Sequence, residues 1–298
     1  MQKGKLLNGR EAAKALRKRI SSFIKAHQEL IQVPGLAVIL VGDDPASEIY
    51  VRKKGEQAKQ VGMNSITLKF DATVSENILL KEIHRLNQDS NTHGILIQLP
   101  LPKHINAQRL LNAVDYQKDV DGLGVVNAGR LSLGMKEAII PCTPLGCWRL
   151  LRSVESDLRG KKVLVIGASN LVGKPMAQLL LREEATLSVA NIYTKNLPAL
   201  CREAEIIISA TGHSELVQAD WVSDGAIVID VGINRIEGED GKVRLVGDVA
   251  FDSVKEKASW ITPVPGGVGP MTVACLLENT LRAACCQQGW GEILKFYL

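Results

Sequence analysis

A tyrosine and a lysine four positions apart are residues that could together carry acid–base chemistry. Residues 47–62 favour a helix, and side chains four apart on a helix share a face, so Tyr50 and Lys54 are predicted to point into the same space. A lysine that is flanked by Arg52 and Lys53 and partly removed from water has a lowered pKa, which suits proton transfer near neutral pH. The alternative is a solvated basic helix face with Tyr50 half-buried.

Two further polar side chains stand where ligands of a parallel sheet usually bind. Gln98 lies near the end of the apolar run at residues 94–99, and Asp121 belongs to the segment KDVDG at residues 118–122. A carboxylate accepts hydrogen bonds from two adjacent donors, such as a ring amine and a ring amide, and a glutamine amide both donates and accepts. The alternatives are structural, an Asx-type turn at Asp121 and a strand-end cap at Gln98.

A glycine-bounded turn between a strand and a helix predicts a phosphate site. The run at residues 163–166 is typical of a buried central strand, residues 167–173 (GASNLVG) form the turn, and Pro175 suits the first turn of a helix. Backbone N–H groups and a helix dipole would converge there, as they do around dinucleotide phosphates. Ser169 occupies the position of the second glycine in the common Gly-x-Gly-x-x-Gly fingerprint, so an ordinary strand–helix turn is the alternative.

Length and composition indicate a two-domain α/β protein. The chain has 298 residues, of which 46% are hydrophobic and 4% aromatic, and its net charge of +4 comes from interspersed residues, so we expect no nucleic-acid partner. Its 6 cysteines form no Cys-x-x-Cys and its 5 histidines are scattered, which predicts neither a metal site nor a disulfide framework. The absence of a signal sequence or membrane-length apolar run predicts a cytoplasmic protein with no membrane partner.

Strands and helices alternate along the chain, which predicts mostly parallel sheets with ligands at the carboxyl ends of the strands. Ser47 is a possible N-cap, and residues 118–133 and 262–270 are predicted as a loop and a dense turn. The predicted strands are residues 36–42, 66–70, 94–99, 163–166, 186–190, 206–210 and 226–231. The predicted helices lie within residues 9–32, 47–62, 75–87, 106–114, 143–154, 175–181, 196–204 and 271–286.

Motifs spread over nearly the whole chain resemble the bifunctional methylenetetrahydrofolate dehydrogenase/cyclohydrolase family. They are residues 50–54 (YVRKK), 94–102 (GILIQLPLP), 118–122 (KDVDG), 141–144 (PCTP) and 263–272 (PVPGGVGPMT). The resemblance implies an α/β fold of two Rossmann-like domains with mostly parallel sheets flanking a central cleft, usually as a homodimer. We predict a folate/catalytic domain at residues 1–142, completed by the C-terminal helix at about 271–298, and a dinucleotide-binding domain at residues 143–270.

The resemblance also implies the reaction. A hydride passes from the methylene bridge of tetrahydrofolate to a nicotinamide, and water then attacks the methenyl cation to give the formyl product in the same cleft. By resemblance Lys54 is the catalytic residue, aligned by Tyr50 and Gln98, while Asp121 holds the pterin ring. The other residues implied in folate binding are Leu99, Pro265, Gly266, Gly267, Val268 and Gly269. The residues implied in cofactor binding are Gly167, Ala168, Ser169, Val172, Gly173, Ile192, Gly212 and Ile233.

The predicted cofactor site departs from the family pattern. Family members commonly have Gly-Arg-Ser at the first turn, and Cys-His followed by Arg or Ser after the second strand, groups that suit a 2′-phosphate. Here Ala168 replaces the arginine, and Asn191-Ile192 follows the second strand without an acidic residue for a ribose 2′-OH. Lys174 or Lys195 offers a point charge without the bidentate fork of arginine. We predict NADP, bound with weakened affinity, and the alternatives are NAD or an impaired dehydrogenase.

Two other classes of function are compatible with parts of the sequence. An amino-acid or hydroxy-acid dehydrogenase would need a catalytic histidine or arginine, but His84, His93 and His104 stand in no supporting motif. Loss of the cofactor contacts would leave a folate- or nucleotide-binding regulator, and the joint presence of the tyrosine, lysine, glutamine and aspartate described above argues against it.

Overall fold

The computed structural model describes residues 4–237 and 243–291 and shows an α/β fold of two compact units. We call them the three-stranded unit and the six-stranded unit after their parallel sheets. The three-stranded unit comprises Lys14–Cys142 and the chain from Val273 onwards, and the six-stranded unit comprises the chain up to Ala13 and Thr143–Thr272. The predicted α/β class with mostly parallel sheets is confirmed. Residues 292–298 of the predicted C-terminal helix lie outside the described residues.

The elements of the described residues are as follows. The strands are β1 (Lys5–Leu6), β2 (Gly35–Val41), β3 (Asn64–Phe70), β4 (Gly94–Ile97), β5 (Lys162–Ile166), β6 (Thr186–Ala190), β7 (Ile206–Ser209), β8 (Ile227–Asp230), β9 (Asn234–Glu237), β10 (Val243–Val246) and β11 (Trp260–Ile261). The helices are α1 (Gly9–Ala26), α2 (Pro45–Gln60), α3 (Glu76–Gln88), α4 (Ala107–Ala113), α5 (Val125–Ser132), α6 (Cys142–Arg152), α7 (Gly173–Arg182), α8 (Leu197–Glu203), α9 (Phe251–Val254) and α10 (Val268–Gln287), with a 3-10 turn at Ala219–Trp221.

The three-stranded unit has the strand order β3–β2–β4, with all neighbours parallel. Every residue of the central strand β2 is buried, as expected for an all-apolar run covered on both faces. Helix α3 packs on this sheet through Leu79, Ile83 and Leu86, which lie three and four residues apart and are fully buried. Burying each such side chain contributes about 1.5–3 kcal/mol, so this face fixes α3 on the sheet.

The six-stranded unit has the order β1–β11–β8–β7–β5–β6, all parallel. Ile166 at the end of β5 lies opposite both Ala190 and Ser209, and Ser209 lies opposite Asp230. The carboxyl ends of four adjacent strands are therefore level with one another. Because β6 and β7 flank β5 on opposite sides, the chain changes direction at β5, and ligands of doubly wound sheets bind beside that point.

The N-terminal segment differs from the predicted domain limits. The sequence placed residues 1–142 together, whereas the chain up to Ala13 belongs to the six-stranded unit. The reason is that β1 pairs in parallel with β11, Lys5 opposite Trp260 and Leu6 opposite Ile261. A strand of two residues is too short to show an alternating pattern, so this pairing could not be predicted from local sequence.

Three local predictions were wrong. The segment predicted as a loop, residues 118–133, contains α5, whose buried Leu131 supplies the apolar contact that a short helix needs. Ser47 does not cap α2, because the Asp44 carboxylate accepts the Ser47 N–H at 2.8 Å and is itself the N-cap. The predicted turn 262–270 ends early, since α10 begins at Val268 and its first turn tolerates Pro270. All the predicted strands are present to within two residues.

Within the described part of the chain, none of the helices combines the length and the apolar composition that crossing a bilayer requires. The same residues contain no group of three or more His, Cys, Asp and Glu side chains arranged to hold a metal ion.

Candidate functional site

Lys54 lies on α2 with its amine turned towards the end of strand β4. Its Nζ donates a hydrogen bond to Gln98 Oε1 at 2.9 Å, and the side chain is partly buried. Burial lowers the pKa of the Lys54 amine, while the nearby Asp121 and Cys142 act in the opposite direction. The sequence attributed a lowered pKa partly to Arg52 and Lys53, but both of these side chains are exposed.

Gln98 is oriented by contacts on both sides of its amide. Its backbone N–H donates to Ile39 O at 2.9 Å, which continues the β2–β4 pairing, and its Nε2 donates to Leu99 O at 2.6 Å. The Oε1 atom is therefore left to accept from Lys54. The backbone and side-chain contacts place Gln98 at the end of the strand, and its role towards a ligand stays a prediction.

Asp121 is brought close to Lys54 by a short extension of the sheet. Ile95 of β4 forms a parallel bridge with Asp119, and the chain then turns at residues 120–122, which places the Asp121 carboxyl near the Lys54 amine. Its Oδ1 accepts the Cys142 N–H at 3.5 Å. Burial raises the pKa of the Asp121 carboxyl, and the Lys54 amine opposes this rise.

The loop that follows Asp121 is bound by the neighbouring Asp119, over a longer span than the Asx-type turn that was the alternative for Asp121. The buried Asp119 carboxylate accepts from the N–H groups of Leu123 at 3.3 Å and Gly124 at 2.9 Å, and from Asn127 Nδ2 at 3.0 Å. The two aspartates of the KDVDG segment therefore have different roles. Asp119 shapes the loop, while Asp121 lies beside Lys54.

A second buried group that fixes this loop was missed in the sequence. Asn279 on α10 donates through Nδ2 to Val120 O and to Ile140 O, each at 2.9 Å. Gly122 has φ +65°, and a Cβ there would lie 2.4 Å from Ile139 O, so the loop requires glycine. An asparagine in the helix predicted at residues 271–286, with one broad face expected to be buried, was the available signal, because a buried amide needs partners.

Tyr50 is one turn before Lys54 on α2, and its side chain is 40% exposed. Among residues 4–237 and 243–291, its hydroxyl has no hydrogen-bond partner. Of the two residues that the resemblance implies in aligning Lys54, Gln98 makes the hydrogen bond in this structure, and the role of Tyr50 stays a prediction. The exposed tyrosine ring presents a flat surface on the same helix face.

The strand–turn–helix segment after β5 has the close backbone packing expected of a phosphate-binding turn. Gly167 has φ +108°, and a Cβ there would lie 2.2 Å from Ala210 O. A Cβ on Gly173 would lie 1.9 Å from Gly167 O, so both positions require glycine. No side chain caps α7 at Val172, which leaves the start of this ten-residue helix available to an anion.

The other predicted cofactor residues follow the carboxyl ends of the neighbouring strands. Gly212 follows β7 with φ +70° and is exposed, Ile233 follows β8 and is 49% exposed, and Ile192 follows β6 and is 85% exposed. Ala168 and Ser169 lie in the turn after β5, where the Ser169 hydroxyl accepts the N–H of Val172 at 3.2 Å. The structure therefore gathers them at one edge of the six-stranded sheet.

The proline–glycine segment follows β11 at the same edge. Gly266 has φ +114°, and a Cβ on Gly267 would lie 2.7 Å from the Thr262 side chain. Val268 and Gly269 belong to the first turn of α10, and a Cβ on Gly269 would lie 4.0 Å from Ile233 Cδ1. Pro265 is exposed, so this stretch offers backbone and small side chains to a flat ligand.

A parallel six-stranded sheet with a glycine-bounded turn before a helix, together with a partly buried lysine and a neighbouring aspartate in a second α/β unit, defines an enzyme of the dinucleotide-binding class. Residues 7–121 match the tetrahydrofolate dehydrogenase/cyclohydrolase catalytic domain, and residues 141–288 match the NAD(P)-binding domain of the same family. The chain belongs to the tetrahydrofolate dehydrogenase/cyclohydrolase family.

Named relatives and solved structures agree with this assignment. The chain is 54% identical to the bifunctional protein FolD of Gluconobacter oxydans over 97% of this chain and 95% of that protein. It is similar to the FolD methylenetetrahydrofolate dehydrogenase/cyclohydrolase of Campylobacter jejuni, at 46% identity, TM-score 0.90 and coverage of 95% and 99%. The Trypanosoma brucei FolD, solved with NADP cofactor and inhibitor, matches at 37% identity, TM-score 0.91 and coverage of 96% and 99%.

Proposed function

We propose that this chain oxidises methylenetetrahydrofolate to methenyltetrahydrofolate with a nicotinamide cofactor and hydrolyses the methenyl compound to formyltetrahydrofolate. The observation that carries the proposal is the partly buried Lys54 amine, held by Gln98 at 2.9 Å next to Asp121. Membership of the bifunctional family supports both activities. Neither the regulator nor the other dehydrogenase class explains why this amine is withdrawn from water.

In the hydrolytic step Lys54 moves protons. As water adds to the methenyl carbon and the C–O bond forms, its proton passes to Lys54 Nζ, which accepts it because burial favours the neutral amine. Lys54 then returns the proton to the folate nitrogen that leaves as the C–N bond breaks, and the hydroxyl proton is released as the formyl carbonyl forms. A neutral lysine also avoids repulsion with the cationic substrate.

Asp121 and the proline–glycine segment bind the folate in this proposal. The Asp121 carboxylate accepts hydrogen bonds from the ring amine and ring amide of the pterin. Leu99 and residues 265–269 supply close backbone contacts to the flat rings. Tyr50 shares the α2 face of Lys54 and adds its exposed ring to that surface.

The nicotinamide cofactor, when bound, supplies the hydride acceptor for the oxidative step. The uncapped start of α7, which the close packing of Gly167 and Gly173 positions, suits its pyrophosphate, because the start of a helix attracts an anion. Gly212, Ile192 and Ile233 follow the level strand ends and hold the rest of the dinucleotide.

The test is an absorbance assay of methenyltetrahydrofolate formation and decay, with methylenetetrahydrofolate and either NADP or NAD. We expect cofactor-dependent formation followed by decay. Decay of added methenyltetrahydrofolate without formation indicates a cyclohydrolase with an impaired dehydrogenase. Neither process, with folate still bound, indicates the regulator, and turnover of an amino acid or hydroxy acid instead indicates the other dehydrogenase class.

For the cofactor itself, NADP bound with weakened affinity is the first choice and NAD the alternative. The Trypanosoma brucei relative holds NADP. The polar groups near the expected 2′-phosphate are already engaged, since Lys174 Nζ donates to Asn170 at 2.7 Å and Asn191 accepts from Tyr193 N–H at 2.9 Å. A clear preference for NAD in steady-state rates over a concentration series would overturn this choice.

Placing an arginine in the first turn tests the cofactor assignment directly. Ala168→Arg is expected to lower KM for NADP about tenfold or more, because a charged hydrogen bond to phosphate contributes about 1.5–3 kcal/mol. KM for NAD, which lacks the 2′-phosphate, should stay nearly constant. Steady-state kinetics with both cofactors measure this, and an equal change for NADP and NAD would contradict a 2′-phosphate site at this turn.

The rate of hydrolysis should depend on pH through Lys54. Because the neutral amine accepts the proton, cyclohydrolase kcat is expected to rise with pH, with a midpoint below the ordinary lysine pKa of 10.5. Asp121→Asn removes a charge that raises the pKa of Lys54, so it should move the midpoint to lower pH. The measurement is kcat against pH after subtraction of the uncatalysed rate.

The matched control is Asp115→Asn. Asp115 is an exposed residue of the segment between α4 and α5 that also contains Asp121, and the asparagine oxygen can still accept the Gln117 N–H. This variant should keep the wild-type midpoint. A midpoint that moves upward in Asp121→Asn, or that moves equally in both variants, would contradict the assigned role of the lysine–aspartate pair.

Family membership also supports a homodimer and a cytoplasmic location. All six cysteines are free thiols, which suits a reducing compartment. Sedimentation equilibrium of the purified chain tests the dimer.

A further inference from the structure

Two buried aspartates lie under the carboxyl-terminal edge of the six-stranded sheet, and the reaction described above uses neither. Asp230 is the last residue of β8 and is 3% exposed, and Asp248 follows β10 and is 0% exposed. Buried carboxylates are rare unless they are paired or fully hydrogen-bonded, so their contacts indicate what they stabilise.

Asp248 binds the loop that follows β7. Its Oδ2 accepts the N–H groups of Thr211 at 2.6 Å and Gly212 at 3.3 Å, together with the Ser209 hydroxyl at 3.3 Å. Its Oδ1 accepts Asn234 Nδ2 at 3.0 Å. One carboxylate therefore joins the end of β7, the loop after it and the start of β9.

Asp230 binds the two segments beside that loop. Its Oδ1 accepts the N–H groups of Gly232 and Asp248, each at 2.9 Å, and its Oδ2 accepts the Val249 N–H at 3.0 Å. Its own N–H donates to Thr262 Oγ1 at 2.8 Å, the threonine that immediately precedes the proline–glycine segment. The loops after β7 and β8 are thereby connected through two carboxylates, and the backbone N–H of Asp230 adds a bond to the residue that precedes the proline–glycine segment.

The backbone approaches these carboxylates too closely for any residue but glycine. A Cβ on Gly232 would lie 2.0 Å from Asp248 Oδ1, and a Cβ on Gly247 would lie 1.8 Å from Asp230 Oδ2. The two glycines and the two aspartates form one interlocked unit. Small changes in a carboxylate must therefore move the loops that it holds.

We propose that Asp248 is a positioning residue for the dinucleotide, acting through the loop after β7. By fixing the N–H groups of Thr211 and Gly212, it sets the position of Gly212, and through Asn234 it fixes the segment that carries Ile233. This inference rests on the proposed function, in which Gly212 and Ile233 bind the cofactor. Hydrogen bonds to an ionised carboxylate are stronger than those between neutral groups, so the charge of Asp248 matters as well as its shape.

The test is Asp248→Asn, which keeps the size of the side chain but replaces one accepting oxygen by an amide that donates. Kd and KM for NADP are expected to rise about 10- to 100-fold, the effect of losing a charged hydrogen bond. KM and kcat for hydrolysis of methenyltetrahydrofolate, which needs no cofactor, should stay within about twofold. Fluorescence titration with NADP and the two absorbance assays measure these quantities.

Asp252→Asn is the matched control, because Asp252 is an exposed aspartate of α9 in the same unit. It should leave every constant unchanged. A wild-type Kd for NADP in Asp248→Asn overturns the inference, and so does an equal loss of both activities together with a lower melting temperature, which indicates a general structural role. If the wild-type chain binds neither NADP nor NAD, the proposed function fails and the inference fails with it.

A milder variant keeps the inference testable if Asp248→Asn does not fold. Asn234→Ala removes the donor to Asp248 Oδ1 and leaves both loop N–H groups on Oδ2. We expect Kd for NADP to rise about two- to fivefold, because the variant lacks one uncharged hydrogen-bond donor to Asp248. An unchanged Kd in this folded variant overturns the inference.

Discussion

Replacing Lys54 with methionine is expected to lower the cyclohydrolase kcat by about 10²- to 10⁴-fold, the usual contribution of a positioned proton-transfer group. Methionine fills similar space but cannot accept a proton from the attacking water. The Gln98 amide that now receives the lysine hydrogen bond at 2.9 Å would remain in place without a partner for its oxygen. The decay of methenyltetrahydrofolate absorbance at saturating substrate measures the effect.

The fold should survive this change. Leaving one amide oxygen unpaired costs about 1–3 kcal/mol, but removing a desolvated amine offsets part of that cost, so we expect a melting temperature within about 4 °C of wild type. Lys53→Met is the matched control, because Lys53 is the exposed neighbour on the same helix. Turnover close to wild type in Lys54→Met would contradict a catalytic role of this residue.

Gly173→Ala is expected to separate the two activities. The new Cβ would lie 1.9 Å from Gly167 O, so the start of α7 must move away from the turn after β5. A displacement of about 1 Å in a binding group can cost about 100-fold in rate, and we expect a loss of that size in the dehydrogenase reaction. Cyclohydrolase activity, which we assign to Lys54 in the three-stranded unit, should fall far less.

The control for the alanine substitution itself is Gly129→Ala on α5, where nothing lies within 4 Å of the added Cβ. Both activities of this variant should match wild type. If Gly173→Ala lowers both activities by the same factor, or neither of them, the glycine turn has no special part in cofactor binding. A thermal melt of each variant distinguishes local displacement from unfolding.

Strands and helices that are long enough to show an apolar run or an apolar repeat could be predicted from the sequence. Strands such as β2 and β5 are continuous apolar runs next to a glycine, and α3 repeats its apolar residues at helical spacing. Each of these elements can therefore be predicted from its own local sequence. By contrast β1 and β11 have two residues each, and β1 pairs with a strand from the far part of the chain, while β9 and β10 have only four residues each. No local pattern specifies such strands.

The candidate site was predictable to the same extent. Lys54, Gln98 and Asp121 were identified because reactive side chains stand near predicted strand ends or on a helix face, and the structure brings these three together. The side chains that hold them, Asp119 and Asn279, were missed since their roles depend on which carbonyls and N–H groups folding brings within reach. The spacing of residues in the sequence contains no such information.

The pairing of β1 with β11 has a consequence for how the protein is made. Strand β1 is synthesised long before β11, the strand with which it pairs, and α10, which follows β11, brings buried contacts to the unit that contains Lys14–Cys142. Neither unit can therefore complete its fold until β11 and α10 have been synthesised. We therefore expect that two separately expressed fragments divided at residue 142 would fail to fold until they are mixed.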